Sequence, residues 1–293
     1  MRDLVGYRVV AVHAHPDDEA LFTGGTLADF ARRGADVTVV TCTLGEEGEV
    51  IGERLAGLTV DEADQLGGAR VRELDDSLAA MGARGVLLGG AGCFRDSGME
   101  GSPAHEKPRA LVNRVDEAAE KLRAELDVLR PDIVLTYGPD GGYGHPDHIA
   151  VHRLTHLAAE ETPIWWCIYH RPSFYAALED IDSPHQWRKP DKAYLDNYTN
   201  AEFDVELTLD DVALAAKRRA LASHPTQIWL GEGTATATNP EAAWAVCHDP
   251  DTAPFAYALS NRLTMPVLRR EHYQWGGKGA APQSLLEGVR HGE

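Results

Sequence analysis

The fold is decided by the stretch Arg8-Val9-Val10-Ala11-Val12-His13-Ala14-His15-Pro16-Asp17-Asp18-Glu19, in which an apolar run passes directly into polar and acidic residues. The apolar run predicts a first strand over residues 8–12. A helical pattern follows over residues 19–33 and ends before Gly34. A strand followed directly by a helix is the opening unit of an α/β fold.

The same alternation of strand and helix continues along the chain. Further strands are predicted over residues 37–43, 85–88, 132–137 and 164–169. Helices are predicted after Thr59 and Glu62, which have capping-box spacing, over residues 109–129, and from near His148. Repeated strand–helix–strand order implies parallel strands with right-handed crossovers. The sequence therefore predicts a Rossmann-like α/β fold, with a mostly parallel sheet flanked by helices.

The 293 residues are enough for one large α/β domain that carries an elaboration. We predict a catalytic domain over residues 1–170 and a C-terminal elaboration over residues 171–275 that closes the substrate pocket. Within the elaboration, residues 203–209 predict a strand and residues 210–223 a helix, whereas the pattern weakens beyond residue 231. The tail, residues 276–293, is rich in glycine and charge and is predicted to be flexible.

Composition excludes several classes of partner. The net charge of −18 and pI of about 5.1 argue against nucleic-acid binding, which needs a basic face. No window approaches ~18 uninterrupted apolar residues, so no membrane span is predicted, and the N-terminal apolar run is interpreted as a strand rather than a signal peptide. The widely separated cysteines indicate free thiols and a cytoplasmic location. Nothing in the sequence indicates an oligomeric state.

The first polar cluster, residues 13–19, places two histidines beside three consecutive carboxylates directly after the predicted first strand. Helix capping explains one aspartate, because Asp is a common N-cap residue. It does not explain the two histidines. Histidine and carboxylate together are typical zinc ligands. The cluster therefore predicts a metal site.

The second polar cluster, Gly141-Gly142-Tyr143-Gly144-His145-Pro146-Asp147-His148, follows the predicted fourth strand. Taken alone, it could equally be a flexible surface loop. In a sheet with strand order 3-2-1-4, however, strands one and four are neighbours, and the two clusters meet where ligands bind in α/β proteins. Together they predict a metal-dependent hydrolytic site. Spacing alone leaves these candidate ligands open: His13, His15, Asp18, His145, Asp147 and His148.

The sequences Ala-His-Pro-Asp-Asp-Glu at residues 14–19 and His-Pro-Asp-His at residues 145–148 resemble the motifs of the N-acetylglucosaminyl deacetylase family, which includes the phosphatidylinositol-glycan de-N-acetylases. Other segments are similar to the family's mycothiol-pathway members, at residues 41–52, 64–68, 89–99 and 222–227. The resemblance implies one catalytic Zn²⁺ per subunit, held by His15, Asp18 and His148. These ligands leave a coordination position open for water, and ferrous iron suits the same ligand types.

The resemblance also implies catalytic roles for residues near the metal. Asp17 would be the general base. Tyr143 and His145 would assist at the reaction centre, and Asp147 would orient a nearby histidine as a carboxylate partner.

Substrate-binding residues are implied in the same way. Arg70 and Asp96 resemble positions that hold sugar or inositol hydroxyls, and Glu49 and Met99 are expected in the same pocket. Without the resemblance, Arg70 would be interpreted as a solvated helix residue, Asp96 as a turn residue and Met99 as packing. The roles of residues 171–260 are not determined by the sequence. Within them a late loop either covers the site or lies on the surface, and it contains His224 and Gln227.

The function implied is hydrolysis of the acetamide of a small molecule, N-acetylglucosaminyl-inositol (1-D-myo-inosityl 2-acetamido-2-deoxy-alpha-D-glucopyranoside). The products would be glucosaminyl-inositol and acetate, in mycothiol biosynthesis. A mycothiol S-conjugate amidase of the same family is the nearest alternative, and residues 89–99 favour the deacetylase. A non-catalytic sugar-binding module is an alternative of another class. Such a module has no need of Asp17 beside metal ligands.

Overall fold

The computed structural model describes residues 2–236, 238–239 and 241–289. Its strands are β1 (Arg8–His13), β2 (Asp36–Thr41), β3 (Arg84–Leu87), β4 (Ile133–Tyr137), β5 (Ile164–Ile168), β6 (Ile181–Asp182), β7 (Val205–Thr208), β8 (Trp229–Leu230), β9 (Val246–Cys247), β10 (Phe255–Ala258), β11 (Met265–Val267) and β12 (Arg270–Trp275). The central sheet has the order β3-β2-β1-β4-β5-β12-β7. Its first five strands pair in parallel, and β12 pairs antiparallel with β5 and β7. The predicted mostly parallel sheet is confirmed.

The helices form two groups against this sheet. They are α1 (Asp18–Phe22), α2 (Gly24–Arg32), α3 (Leu66–Met81), α4 (Val115–Leu129), α5 (Gly141–Gly144), α6 (Pro146–Ala158), α7 (Arg171–Glu179), α8 (Lys192–Tyr198) and α9 (Asp211–Ala222). Helices α2 and α3 pack against α9, whereas α4 packs against α6. The apolar residues of β1 are almost completely buried between these groups, as the sequence pattern predicts for a central parallel strand.

The single helix predicted over residues 19–33 is wrong, because the chain forms two helices that meet at Thr23. Thr23 has a non-helical φ of −126°. The carboxylate of Glu271 accepts hydrogen bonds from the amides of Gly25 (2.9 Å) and Thr26 (2.8 Å). These bonds satisfy free N–H groups in the first turn of α2. The break therefore depends on a residue of β12, far away in the sequence.

Two other helix starts were predicted too early. Thr59 and Glu62 do not begin α3, since the Thr59 hydroxyl donates to Ala56 O (3.0 Å) instead of accepting from the chain ahead. Helix α3 begins at Leu66. The helix predicted from residue 109 begins at Val115, after a separate 3₁₀ turn over Leu111–Asn113.

The C-terminal part contributes strands to the main sheet as well as smaller sheets. Strand β7 confirms the strand predicted over residues 203–209, whereas β12 was not predicted. Two small sheets have the orders β11-β10-β8 and β6-β9. In the segment predicted to be a flexible tail, the Leu285 side chain is buried and the Trp165 indole donates to Leu285 O (3.2 Å). Residues 290–293 of that segment lie outside the described residues. Among the helices described, none has the length and apolar character needed to cross a bilayer.

Candidate metal centre

Both polar clusters lie at one edge of the sheet. β1 and β4 are parallel neighbours, so the residues that follow His13 and Tyr137 leave the sheet at the same end. The first cluster turns into α1, and the second forms α5 and the start of α6. Side chains separated by more than 120 residues therefore come into contact, as the distance of 3.3 Å between His15 and His148 shows.

Three donor atoms form a nearly equilateral triangle at this edge. His15 Nδ1 lies 3.4 Å from Asp18 Oδ2, Asp18 Oδ2 lies 3.3 Å from His148 Nε2, and the two histidine nitrogens are 3.3 Å apart. Tetrahedral zinc with bonds of about 2.0–2.1 Å places its ligand atoms about 3.3–3.4 Å apart. The donor set and its spacing therefore fit a zinc ion. All three side chains are buried.

The surrounding structure fixes the orientation of each member of the triangle. Asp18 Oδ2 also accepts the His15 amide (2.9 Å). The His148 ring stacks on Tyr137 at 4.1 Å, and its Nδ1 bonds to Gly141 O (3.0 Å), which directs Nε2 toward Asp18. Gly141 has a φ of +66°, and a Cβ there would lie 2.8 Å from His148 Cβ. Glycine is therefore required beside this histidine.

The second nitrogen of His15 faces two carboxylates. His15 Nε2 lies 3.3 Å from Asp147 Oδ2 and 3.6 Å from Asp96 Oδ1. Asp147 Oδ2 also accepts the Ser97 amide (2.9 Å). Both carboxylates can therefore fix the ring orientation and basicity of His15, as carboxylate partners of zinc-ligating histidines do. Two looser donor groups also include His15, one with Asp96 and Asp147 and one with His145 and His148, and the ligand atoms of each group lie within 4.8 Å of one another.

Asp96 was expected to hold substrate hydroxyls. Its Oδ1 accepts the Gly98 amide (2.8 Å) and its Oδ2 the Glu47 amide (3.2 Å), and the side chain is buried. Despite burial, the neighbouring His15 holds the pKa of Asp96 well below its usual range. The contact with His15 was not foreseen from the sequence, because nothing local to residue 96 indicates it.

Asp17 is held in an unusual conformation beside the triangle. Its φ of 121° is positive, which is uncommon for a residue with a side chain and carries a conformational cost. The Asp17 amide donates to Glu19 Oε2 (3.0 Å), and Asp17 Oδ2 lies 3.0 Å from Arg70 Nη2. Burial raises the pKa of Asp17 to about 6, against the opposing guanidinium of Arg70. A carboxylate with such a pKa is suited to accept a proton near neutral pH.

Arg70 is buried, so the interpretation as a solvated helix residue is wrong. It donates from Nη1 to Gly45 O (2.8 Å) and from Nη2 to Pro16 O. Arg70 therefore connects α3 to the loops after β1 and β2, as well as contacting Asp17.

Tyr143 and His145 lie beside the two histidines of the triangle. The His145 ring centroid is 4.6 Å from that of His15 and 5.0 Å from that of His148. Burial, reinforced by these two histidines, lowers the pKa of His145 to about 2, so its imidazole is neutral at neutral pH. The Tyr143 ring is 5.0 Å from His148 and stacks on Tyr198 at 5.5 Å. Burial raises the pKa of Tyr143, which keeps its hydroxyl protonated.

The remaining candidates lie farther from the triangle. His13 bonds to Thr23 Oγ1 (3.0 Å) and is not part of it. The Met99 side chain is 52% exposed, and Glu49 is exposed while its carbonyl accepts the Gln227 side-chain amide (3.0 Å). His224 lies neither over the site nor on the surface. It is completely buried against Glu19, an arrangement that sequence reasoning missed.

A parallel α/β sheet that brings two histidines and an aspartate together beside a second aspartate gives the donor set of a candidate metal-binding hydrolase site. Sequence comparison agrees, since the profile of the GlcNAc-PI de-N-acetylase family (PIG-L) matches residues 10–159. The chain belongs to this family and is an N-deacetylase.

Curated relatives match over most of their length. The chain is 52% identical to the 1D-myo-inositol 2-acetamido-2-deoxy-alpha-D-glucopyranoside deacetylase of Corynebacterium diphtheriae, over 94% of this chain and 95% of the relative. Proteins of the same name from Corynebacterium glutamicum (strain R) and Rhodococcus erythropolis are 50% and 42% identical, covering 98% and 91% of this chain and 98% and 90% of the relatives.

Solved structures support the fold. A triple-mutant deacetylase of the teicoplanin biosynthetic pathway has a TM-score of 0.51 at 20% identity, covering 75% of this chain and 82% of its own. The deacetylase–teicoplanin complex of the same pathway has a TM-score of 0.51 at 19% identity, covering 75% and 87%.

Proposed function

We propose that the chain hydrolyses the acetamide of N-acetylglucosaminyl-inositol to glucosaminyl-inositol and acetate, with one zinc ion held by His15, Asp18 and His148. The observation that carries the proposal is the triangle of donor atoms 3.3–3.4 Å apart with Asp17 beside it. The relatives that are 42–52% identical over at least 90% of their length bear the name of a deacetylase for this substrate.

Each residue of the site has a separate role in the proposed reaction. Zinc, when bound, supplies Lewis-acid activation of water and of the amide carbonyl. Asp17 accepts the proton of the attacking water, with its carboxylate positioned by Arg70. The protonated hydroxyl of Tyr143 donates a hydrogen bond to the developing oxyanion. Asp17 then returns the water proton to the leaving amine, since an amine leaves poorly unless it is protonated. His145 Nδ1 accepts the Asp147 amide (3.1 Å), so the neutral imidazole carries its N–H on Nε2 and can donate a hydrogen bond at the reaction centre.

The part of the chain beyond residue 170 closes the pocket for the small-molecule substrate in this proposal. Three contacts support this closure. Tyr198 stacks on Tyr143, Gln227 bonds to Glu49 O, and the Ile51 amide donates to Thr226 O (2.9 Å). Glu49 and Met99 are exposed and, in this proposal, contact the inositol ring, whereas Arg70 and Asp96 are buried and contribute to the base of the pocket.

Acetate release from N-acetylglucosaminyl-inositol by the zinc-loaded protein tests the proposal. Asp17→Asn keeps the side-chain shape and should lower kcat by at least about 100-fold, the contribution of a positioned general base, with zinc content unchanged. Removal of zinc by a chelator should abolish turnover, and addition of zinc or, without oxygen, ferrous iron identifies the active ion. The proposal fails if the zinc-loaded protein releases no acetate, or if it cleaves a mycothiol S-conjugate orders of magnitude faster.

A further inference from the structure

The conformation of Asp17 depends on a carboxylate that is not a proposed metal ligand. The positive φ of 121° at Asp17 is stable only if neighbouring bonds enforce it. Glu19 supplies one such bond, because its Oε2 accepts the Asp17 amide at 3.0 Å. The Glu19 side chain must itself be fixed for this bond to hold.

Two donors fix Glu19 from outside its own helix. Ser77 Oγ, on α3, donates to Glu19 Oε1 at 2.5 Å. His224 Nε2 lies 2.7 Å from the same oxygen, and since a carboxylate only accepts, the histidine is the donor. All three side chains are completely buried, so water does not replace a missing partner.

His224 reaches this position from the loop that follows α9. The loop is anchored independently of Glu19, since Thr226 donates from its amide (3.1 Å) and its hydroxyl (2.7 Å) to the carboxylate of Glu73. These bonds hold the loop to α3 without involving Glu19. Residue 224 can therefore be changed without releasing the loop from α3.

We propose that His224 is a positioning residue for the deacetylation reaction: by donating to Glu19 it fixes the carboxylate that holds the Asp17 amide, and thereby aims the Asp17 carboxylate at the attacking water. The inference rests on the proposed role of Asp17 as general base. His224 itself touches neither the triangle nor the substrate pocket. Its effect is expected in kcat rather than in KM or zinc content, because a small misplacement of a catalytic group costs up to about 100-fold in rate.

Variants at residue 224 test this directly. His224→Leu removes the donor and should lower kcat about 10–100-fold, with KM within about threefold and one zinc per chain retained. His224→Gln presents an amide N–H near the former Nε2 position and should recover kcat to within about fivefold of the wild type. Ser223→Ala is the matched control on the same loop. It removes the hydroxyl bond to Arg219 O (3.0 Å), which does not involve Glu19, and should leave kcat unchanged.

The outcomes separate the two proposals. If the wild type releases no acetate, the proposed function fails. If the wild type is active but His224→Leu keeps full kcat, or His224→Gln is as slow as His224→Leu, or Ser223→Ala is equally slow, the positioning role is refuted. Should His224→Leu not fold, Ser77→Ala decides, since it removes the other donor to Glu19. It should lower kcat without changing KM, and an unchanged kcat would refute the role.

Discussion

The buried ion pair between Lys217 of α9 and Glu271 of β12 should be essential for stability. Lys217 Nζ lies 2.6 Å from Glu271 Oε1 and donates to Leu21 O (3.0 Å). Both side chains are buried, with relative exposures of 6% and 4%. The same carboxylate accepts the amides at the start of α2, so the pair connects four elements, α1, α2, α9 and β12. Replacing Lys217 with methionine keeps the apolar stem and removes only the cation.

The expected loss of stability depends on how the Glu271 carboxylate responds when Lys217 is removed. Loss of one partner of a buried pair typically costs about 3–5 kcal/mol. Glu271 can instead take up a proton, and its ordinary pKa is 4.5. At 1.36 kcal/mol for each pH unit above that value, protonation costs about 3.4 kcal/mol at pH 7 and about 1.4 kcal/mol at pH 5.5. We therefore expect Lys217→Met to lose about 3 kcal/mol at pH 7 and less than half of that at pH 5.5.

In the wild-type protein, two opposing effects set the pKa of Glu271. Burial raises the pKa of Glu271, but the Lys217 cation outweighs it and the net pKa is lowered. A lowered pKa contributes stability above the ordinary value of 4.5, and this contribution is lost as the pH falls through the folded-state pKa. Between pH 7 and pH 5.5 the wild-type carboxylate stays ionised, so its contribution is constant. In Lys217→Met the buried carboxyl takes up a proton at lower cost as the pH falls, so the advantage of the wild type should shrink over this interval.

Urea unfolding followed by circular dichroism at pH 7 and pH 5.5 measures both quantities. Lys192→Met is the control, because the exposed Lys192–Asp196 pair should contribute under about 1 kcal/mol and little pH dependence. A loss under 1 kcal/mol for Lys217→Met at pH 7, or one that does not change between the two pH values, would refute the reasoning.

Two further predictions concern the metal centre. Asp147→Asn removes the carboxylate that contacts His15 Nε2 and should weaken zinc binding about 10–100-fold. Competition with a chromophoric chelator measures the zinc affinity, and an unchanged affinity would contradict the orienting role of Asp147. Gly141→Ala introduces a Cβ 2.8 Å from His148 Cβ at a φ of +66°, so the free energy of unfolding should fall by at least about 1 kcal/mol and zinc affinity should fall with it. A fully stable alanine variant with wild-type affinity would show that the loop adjusts freely.

The sequence predicted the parts of the molecule that depend on local pattern. The apolar residues before His13 and those ending at Tyr137 were predicted to form buried parallel strands. Because these strands are neighbours, the polar residues that follow them were expected to lie close together. The resemblance to a known family chose three candidate ligands, and the structure places their donor atoms at zinc-compatible distances. Whether they bind zinc stays a prediction that metal analysis tests.

What could not be predicted depends on partners far away in sequence. The break at Thr23 follows from Glu271, which is more than 240 residues from α2. The capping-box spacing of Thr59 and Glu62 misled for a different, local reason, because the Thr59 hydroxyl bonds back to Ala56 O in the preceding 3₁₀ turn. The contact of Asp96 with His15 has no local sign, since it arises where the loop after β3 approaches the loop after β1.

Helix α9 shows how these distant contacts act together on the metal centre. Lys217 lies within α9 and His224 directly after it, so the two are seven positions apart, or about 10 Å along a helix of 1.5 Å rise. Lys217 contacts Leu21 O at the end of α1, and His224 contacts Glu19 at its beginning. One helix from the C-terminal part thus holds both ends of the short helix that carries Asp18. Because α1 has only five residues, it has little intrinsic stability, and its position must come from such tertiary contacts. The geometry of the ligand triangle is therefore a property of the whole chain, although the motifs that form it lie within residues 14–148.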